Sequence, residues 1–245
     1  MAAEIQNCFR RYEKKYLLTW RQYRAMLEGM APYMRADHYS NYTICNIYYD
    51  TPDWRLIRAS LEKPVYKEKL RVRSYGAVCG ADNVFVELKK KYDGVVYKRR
   101  VTTRCVDAVR WLRGDQAYES GQIQREINWF MQSIRPEPKV FIGYDREAYA
   151  GIENSELRIT FDTNLRWRDE AVDLRCGDYG TFLLPEDAIL MEIKIPGAAP
   201  LWLARLLSEN QIFSTSFSKY GAYYQEVVLG GKAGAPYQKE VLFSA

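Results

Sequence analysis

Lys67-Glu68-Lys69-Leu70-Arg71-Val72-Arg73 places a basic side chain at every second position. In an extended chain, residues i, i+2 and i+4 share one face, so Lys67, Lys69, Arg71 and Arg73 project together. Other segments repeat the pattern. In 9–18, Arg11, Glu13 and Lys15 oppose Tyr12, Tyr16 and Leu18; in 84–91, Phe85, Glu87, Lys89 and Lys91 oppose Val84, Val86 and Leu88. Segment 95–102 aligns Val96, Lys98 and Arg100. Segment 157–162 sets Arg158, Thr160 and Asp162 against Leu157, Ile159 and Phe161, and 188–195 sets Glu192 and Lys194 against Ile189, Met191, Ile193 and Ile195. A single stripe of this kind is a solvated sheet face. Several stripes that mix Lys/Arg with Glu suggest a sheet closed around a charged interior.

Between these strands the periodicity changes. Residues 19–31 carry an apolar stripe at helical spacing (Tyr23, Met26, Leu27, Met30) behind a capping Thr19. Further helices are predicted at 53–60, 105–113, 121–133, 200–209 and 217–229. Strands are predicted at 44–50, 65–75 and 139–146 besides those above, with 35–39 a polar loop and Pro136 and Pro138 ending the helix before them. The sum is an α+β chain of about eight strands without regular β–α alternation. An eight-stranded antiparallel barrel, with helices inserted between strands and a C-terminal helix, fits best; its lumen is wide enough for side chains around a small ligand. Residues 1–229 read as one domain, and 230–245, opening Gly230-Gly231-Lys232, as a flexible tail.

Composition narrows the chemistry. Of 245 residues, 36 are Lys or Arg and 31 Asp or Glu, an excess too small for a protein that coats nucleic acid. His38 is the sole histidine, which rules out two-histidine zinc sites within the chain and leaves no support for a histidine-based nucleophilic mechanism. The cysteines (Cys8, Cys45, Cys79, Cys105, Cys176) are odd in number and lack C-x-x-C spacing, as for reduced thiols in a cytosol. There is no secretory pattern and no apolar run approaching the ~18 residues of a membrane span.

Taking one face of each strand collects Lys15, Lys69, Arg71, Arg73, Lys89, Lys98, Arg100, Arg158 and Lys194, with Arg146 at a strand end, beside the carboxylates Glu13, Glu87, Asp162 and Glu192. Burying so many like charges without a counter-charge is prohibitive. A wet tunnel holding a polyanion resolves the conflict, because phosphates accept forked hydrogen bonds from Arg and point contacts from Lys. The carboxylates then suit Mg2+ or Mn2+, hard ions that take oxygen ligands and bridge phosphates. An open sheet with its charged face in solvent gives the same alternation; the apolar opposite faces of the fourth, seventh and eighth strands, already committed to packing, favour the tunnel. Walker-type and G-x-G-x-x-G phosphate loops are absent, as are kinase signatures.

Taken in order, Arg11-Tyr-Glu-Lys-Lys15-Tyr16, Tyr48-Tyr-Asp-Thr51, Leu70-Arg-Val-Arg-Ser-Tyr-Gly76, Phe85-Val-Glu-Leu-Lys89, Lys98-Arg-Arg100, Tyr144-Asp-Arg146, Leu157-Arg-Ile-Thr-Phe-Asp-Thr163, Leu190-Met-Glu-Ile-Lys194 and Phe217-Ser-Lys219-Tyr220 resemble the VTC domain. That is the polyphosphate polymerase domain of the triphosphate tunnel metalloenzymes, the superfamily of the CYTH-like proteins. The resemblance spans roughly residues 8–228. It implies phosphate-binding roles for Lys15, Arg71, Arg73, Lys89, Lys98, Arg146, Arg158 and Lys219, with Ser218 assisting Lys219. It also implies Glu192 as principal metal ligand, supported by Glu13 and Glu87. The reactive centre expected is Arg71, Arg73, Lys89, Glu192 and Lys219, and Lys69, Arg100 and Lys194 join the phosphate-binding set from the strand pattern.

The activity expected from that resemblance is ATP-dependent polyphosphate synthesis with Mn2+ or Mg2+, the γ-phosphoryl group passing to a growing chain. Triphosphate or nucleoside triphosphate hydrolysis in the same tunnel, and a non-catalytic polyphosphate-binding module, are the alternatives. Expected partners are ATP and polyphosphate or triphosphate, with no nucleic acid. The family's phosphate-sensing and membrane domains find no counterpart in these residues. A stand-alone version is therefore expected, cytoplasmic or held at the inner face of the membrane by a separate membrane protein.

Overall fold

The computed structural model describes residues 12–93, 95–116, 121–185 and 187–230, and only the backbone of 38–40. Its centre is one antiparallel sheet. The strands are β1 (Tyr12–Leu18), β2 (Met34–Asp50), β3 (Tyr66–Tyr75), β4 (Asn83–Tyr92), β5 (Val95–Arg104), β6 (Glu137–Gly151), β7 (Arg158–Arg168), β8 (Thr181–Phe182) and β9 (Ile189–Ile195). They run in the order β1-β9-β7-β6-β2-β3-β4-β5, with β8 a short addition to β7. The helices are α1 (Trp20–Met30), α2 (Arg55–Leu61), α3 (Cys105–Arg113), α4 (Gln122–Ile134), α5 (Leu201–Glu209) and α6 (Lys219–Tyr223), the last continued by a π-helical turn over Tyr224–Leu229.

The sheet curls on itself. β1 and β4 stand first and seventh in the order, yet Lys89 on β4 comes within 4.0 Å of Glu13 on β1. Among the described residues no ladder joins the two edge strands, β1 and β5; side chains of β1 and β4 approach each other across the gap.

Period-two alternation sorts the faces. Outward residues Cys45, Ile47, Leu70, Val72, Val84, Val86 and Leu88 pack under α3 and α4 against Trp111, Leu112, Ile127 and Phe130. On the other side Ile159, Phe161, Ile189, Met191 and Ile193 pack under α1 and α5 against Met26, Met30 and Leu203. Thr19 caps α1 through a reciprocal bond pair with Gln22. A third cluster joins inward residues of β2, β6 and β9 (Ile44, Tyr48, Ile142, Tyr144, Leu190) to Tyr220, Tyr223 and Tyr224 of the C-terminal helical segment. One part of the lumen is thereby filled with apolar and aromatic side chains, and the charged stripe lines the rest.

Several boundaries move. Residues 35–39 are not a loop but the start of the 17-residue β2, paired with β6 through Met34↔Gly151, Arg35↔Ala150 and Ala36↔Tyr149. Pro138 does not stop an element but lies inside β6, opposite Tyr49 beside a register shift, a placement that tolerates its missing N–H. β6 and β7 run well past the predicted 139–146 and 157–162. β8 is an additional strand. Residues 9–11 of the first predicted strand and 231–245 of the predicted tail lie outside the described residues.

Candidate active site: a cationic tunnel

Strand register assembles the site. Arg71 faces Glu87 across β3 and β4, and Glu87 faces Arg100 across β4 and β5. Glu87 is 1% exposed. It accepts from Arg71 at 2.7 Å, from Arg100 Nε at 2.7 Å and from Lys98 at 2.7 Å. Burial alone would raise its pKa, but Arg71, Arg73 and Lys98 outweigh that and hold the carboxyl well below the usual range. Glu87 thus fixes a fork of three cations. Deeper along β3, Arg73 donates to Asn46 at 2.9 Å and to the Tyr144 hydroxyl at 3.2 Å.

The opposite wall carries a buried triad. Arg146 grips Asp162 with two bonds of 2.6 and 2.8 Å, and Lys219 from α6 reaches the same carboxylate at 2.6 Å. Asp162 has no solvent exposure. Burial would raise its pKa, and Lys219 and Arg146 reverse the effect. Tyr144 lies beside this triad, with Lys219 4.2 Å from its ring centre. Its phenol, which burial would push up, is brought down to about 8 by Arg73, Arg146 and Lys219.

A third group sits on β1 and β9, where Lys15 faces Glu192 and Glu13 faces Lys194. Glu192 pairs with Lys194 at 2.7 Å. Burial opposes its ionisation, and Lys194, Lys15 and Arg146 keep it ionised well below the usual range. Glu13 lies 3.8 Å from Lys15 and 4.0 Å from Lys89.

Residues 215–219 cross the lumen between these walls. Thr215 bridges to Lys15 of β1. The Phe217 carbonyl accepts from Lys15 at 2.9 Å, and Ser218 Oγ accepts from Lys69 of β3 at 3.2 Å. Ser218 also caps the turn that carries Lys219. Crowding leaves its mark on the lysines. Burial, added to by Lys15, Lys67, Lys89 and Arg71, depresses Lys69 to about 7. Burial depresses Lys98 to about 8 against the pull of Glu87. Lys15 and Lys89 are lowered as well, again chiefly by burial.

The tunnel therefore brings together Lys15, Lys69, Arg71, Arg73, Lys89, Lys98, Arg100, Arg146, Lys194, Ser218 and Lys219 around Glu13, Glu87, Asp162 and Glu192. Arg158 lies further along the same face of β7, opposite Lys194 on β9, and is about half exposed and 3.7 Å from Asp37. Among the described residues no group of three or more His, Cys, Asp and Glu could hold a metal unaided. Glu192 and Glu13 nonetheless fit a hard divalent ion, which is commonly held by one or two carboxylates with substrate phosphates supplying further oxygens. Glu87 is already saturated by its three cations.

Tyr144 and Asp50 stand in the motifs quoted above without a role, and Asn46 stands outside them; Asn46 and Tyr144 orient Arg73. The Asp50 carboxylate accepts from the N–H groups of Leu56 and Ile57 and from the Tyr220 hydroxyl at 2.9 Å, tying α2 to α6. Asn46 and Asp50 share the inward face of β2 with Tyr48 at period two, a signal present in the chain.

The family model of the VTC domain matches residues 10–228. This chain belongs to the VTC-domain family. The VTC domain here is 25% identical over 221 residues to vacuolar transporter chaperone complex subunit 4 of Schizosaccharomyces pombe, covering 72% of this chain and 30% of that protein. The chain thus spans about a third of the length of this curated relative. Its fold is similar to a Bacillus halodurans crystal structure assigned provisionally as an adenylate cyclase, with a TM-score of 0.54 at 12% identity over 87% of this chain and 96% of that one. The VTC domain accordingly has the triphosphate-tunnel fold. None of its described helices is long and apolar enough to cross a membrane.

Proposed function

We propose that this VTC domain is an ATP-dependent polyphosphate polymerase. The reading is carried by the two cation clusters that face each other across the lumen, Arg71, Lys98 and Arg100 held by Glu87 on one wall, Arg146 and Lys219 held by Asp162 on the other. Each carboxylate neutralises only part of the charge it organises. The remainder is fixed in place and faces the space a triphosphate would fill.

ATP lies with its triphosphate along the lumen. An oxygen of a phosphate or of a chain end attacks the γ-phosphorus in line. The bond from the γ-phosphorus to the β–γ bridging oxygen breaks, and ADP leaves with the electron pair. Preorganised guanidinium and ammonium groups stabilise the redistributed charge without reorganising at the moment of reaction. No protein nucleophile is required. Glu192, with Glu13, would hold the Mn2+ or Mg2+, which when bound neutralises phosphate charge. Lys194 is the counter-charge of Glu192 in the free tunnel. The polymer would pass to a separate membrane protein from a cytoplasmic site.

Incubation with ATP and Mn2+ followed by gel analysis tests the reading. Long phosphatase-sensitive polymer is the expected product. Free phosphate alone would make the tunnel a hydrolase, and tight ATP or polyphosphate binding without turnover would make it a binding module.

A further inference from the structure

Almost every buried polar side-chain atom among the described residues has a partner. One of the two exceptions is the hydroxyl of Thr160, in a residue 7% exposed. It faces the tunnel from β7, between Arg158 and Asp162 at period two, and its direct cross-strand partner is Glu192 on β9. Side chains directly opposite on an antiparallel pair stand about 4.5–5.5 Å apart at Cβ. An unpartnered buried hydroxyl costs stability, and a state in which it gains a partner would offset that cost.

The neighbouring carboxylate supplies that state. Glu87 and Asp162 are each held by two or more cations. For Glu192 the described ion pair is a single one, from Lys194 to Oε1. Lys194 is partly exposed and is itself drawn toward any phosphate entering the lumen. Once Lys194 turns to the anion, Glu192 is left buried beside the hydroxyl with no cation on Oε1.

We infer that Thr160 is a positioning residue for Glu192: its hydroxyl donates to the Glu192 carboxylate when a divalent cation and phosphate have taken Lys194 away, and so fixes the carboxylate toward the ion. This rests on the metal-dependent tunnel reading given above. Valine at 160 keeps the shape without the donor, and serine keeps the donor.

The test is calorimetric binding of inorganic tripolyphosphate, with and without Mn2+, to wild-type protein, Thr160→Val and Thr160→Ser, with thermal melts of each free protein. Groups that orient a metal ligand typically contribute 10–100-fold in metal affinity. Thr160→Val should therefore lose about tenfold or more of the Mn2+-dependent gain in affinity, bind tripolyphosphate alone as the wild type does, and melt no lower. Thr160→Ser should retain the gain. A Thr160→Val protein with the full Mn2+-dependent gain overturns the inference. So does one that loses affinity equally with and without Mn2+ while melting lower, since that marks a packing role. Wild-type protein that binds tripolyphosphate without any gain from Mn2+ overturns the metal-dependent reading itself, and the role of Thr160 falls with it.

Discussion

Arg71 and Lys69 lie two positions apart on β3 and do different work. Arg71 is locked to Glu87 at 2.7 Å, so its charge is presented in one geometry. Arg71→Ala leaves Glu87 with Lys98 and Arg100, and the fold should survive. Steady-state assays should show activity down by roughly 100-fold or more, as for loss of a preorganised donor to developing charge. An unchanged rate would remove Arg71 from the site. Lys69 instead titrates at about 7 in the free tunnel, against 10.5 for an ordinary lysine. The unfolded chain takes the proton first as pH falls, so the cost to folding builds from about pH 10.5 down to about 7 and is complete below that. Thermal melts of Lys69→Met should show a protein more stable than wild type at pH 7, with the advantage shrinking toward pH 10. A bound polyanion reverses the penalty on the charged form. Calorimetry at pH 8 in buffers of different ionisation enthalpy should register proton uptake on binding tripolyphosphate, and affinity should fall from pH 7 to 9.

At the scale of elements, the C-terminal segment is both part of the site and part of the core. α6 is only five residues long and is too short to be stable alone. It is held by the third apolar cluster and by the bond from Tyr220 to Asp50, whose carboxylate also caps α2. Tyr220→Phe removes one bond to a buried carboxylate, worth about 1.5–3 kcal/mol. The melting temperature should drop by several degrees. Because Lys219 is the adjacent residue, activity at a temperature well below the melt should also fall, by around tenfold. A variant that melts lower yet turns over normally would show that α6 needs no help from Asp50 to present Lys219. The long β2 and β6 play the complementary part: their outward residues pack under helices, and Asn46 and Tyr144 on their inward faces orient Arg73.

For the molecule as a whole, the free tunnel is a store of repulsion. Lys69, Lys89 and Lys98 are pushed below their ordinary range by burial and by neighbouring cations, and a polyanion relieves that. Tripolyphosphate at 100 times its Kd should stabilise the fold by about 2.7 kcal/mol. Differential scanning fluorimetry should show the upward shift shrinking as salt rises from 0.05 to 0.5 M, because added ions screen the partly open lumen. A shift independent of salt would mean the anion binds somewhere other than the cationic wall.

Much of this arrangement was already legible in the chain. Alternation is local, and a period of two assigns Lys69, Arg71, Glu87, Lys98, Asp162 and Glu192 to one face of their strands whatever the strands later pair with. The capped α1 and the apolar stripes of α3 and α4 are equally local, and the ordered motifs mark the family. The 35–39 segment has the local composition of a loop; its pairing partner, 149–151, lies more than a hundred residues away and carries the strand past any local signal. Whether the charged face turns inward depends on the curl of the whole sheet, which brings β4 to β1. The division of partners depends on it too: three cations on Glu87, two on Asp162, one described on Glu192, and a Thr160 hydroxyl with none. The bond from Lys15 to Phe217 joins residues 202 positions apart. Strand periodicity fixes which way a side chain points; only long-range closure of the sheet fixes what it meets.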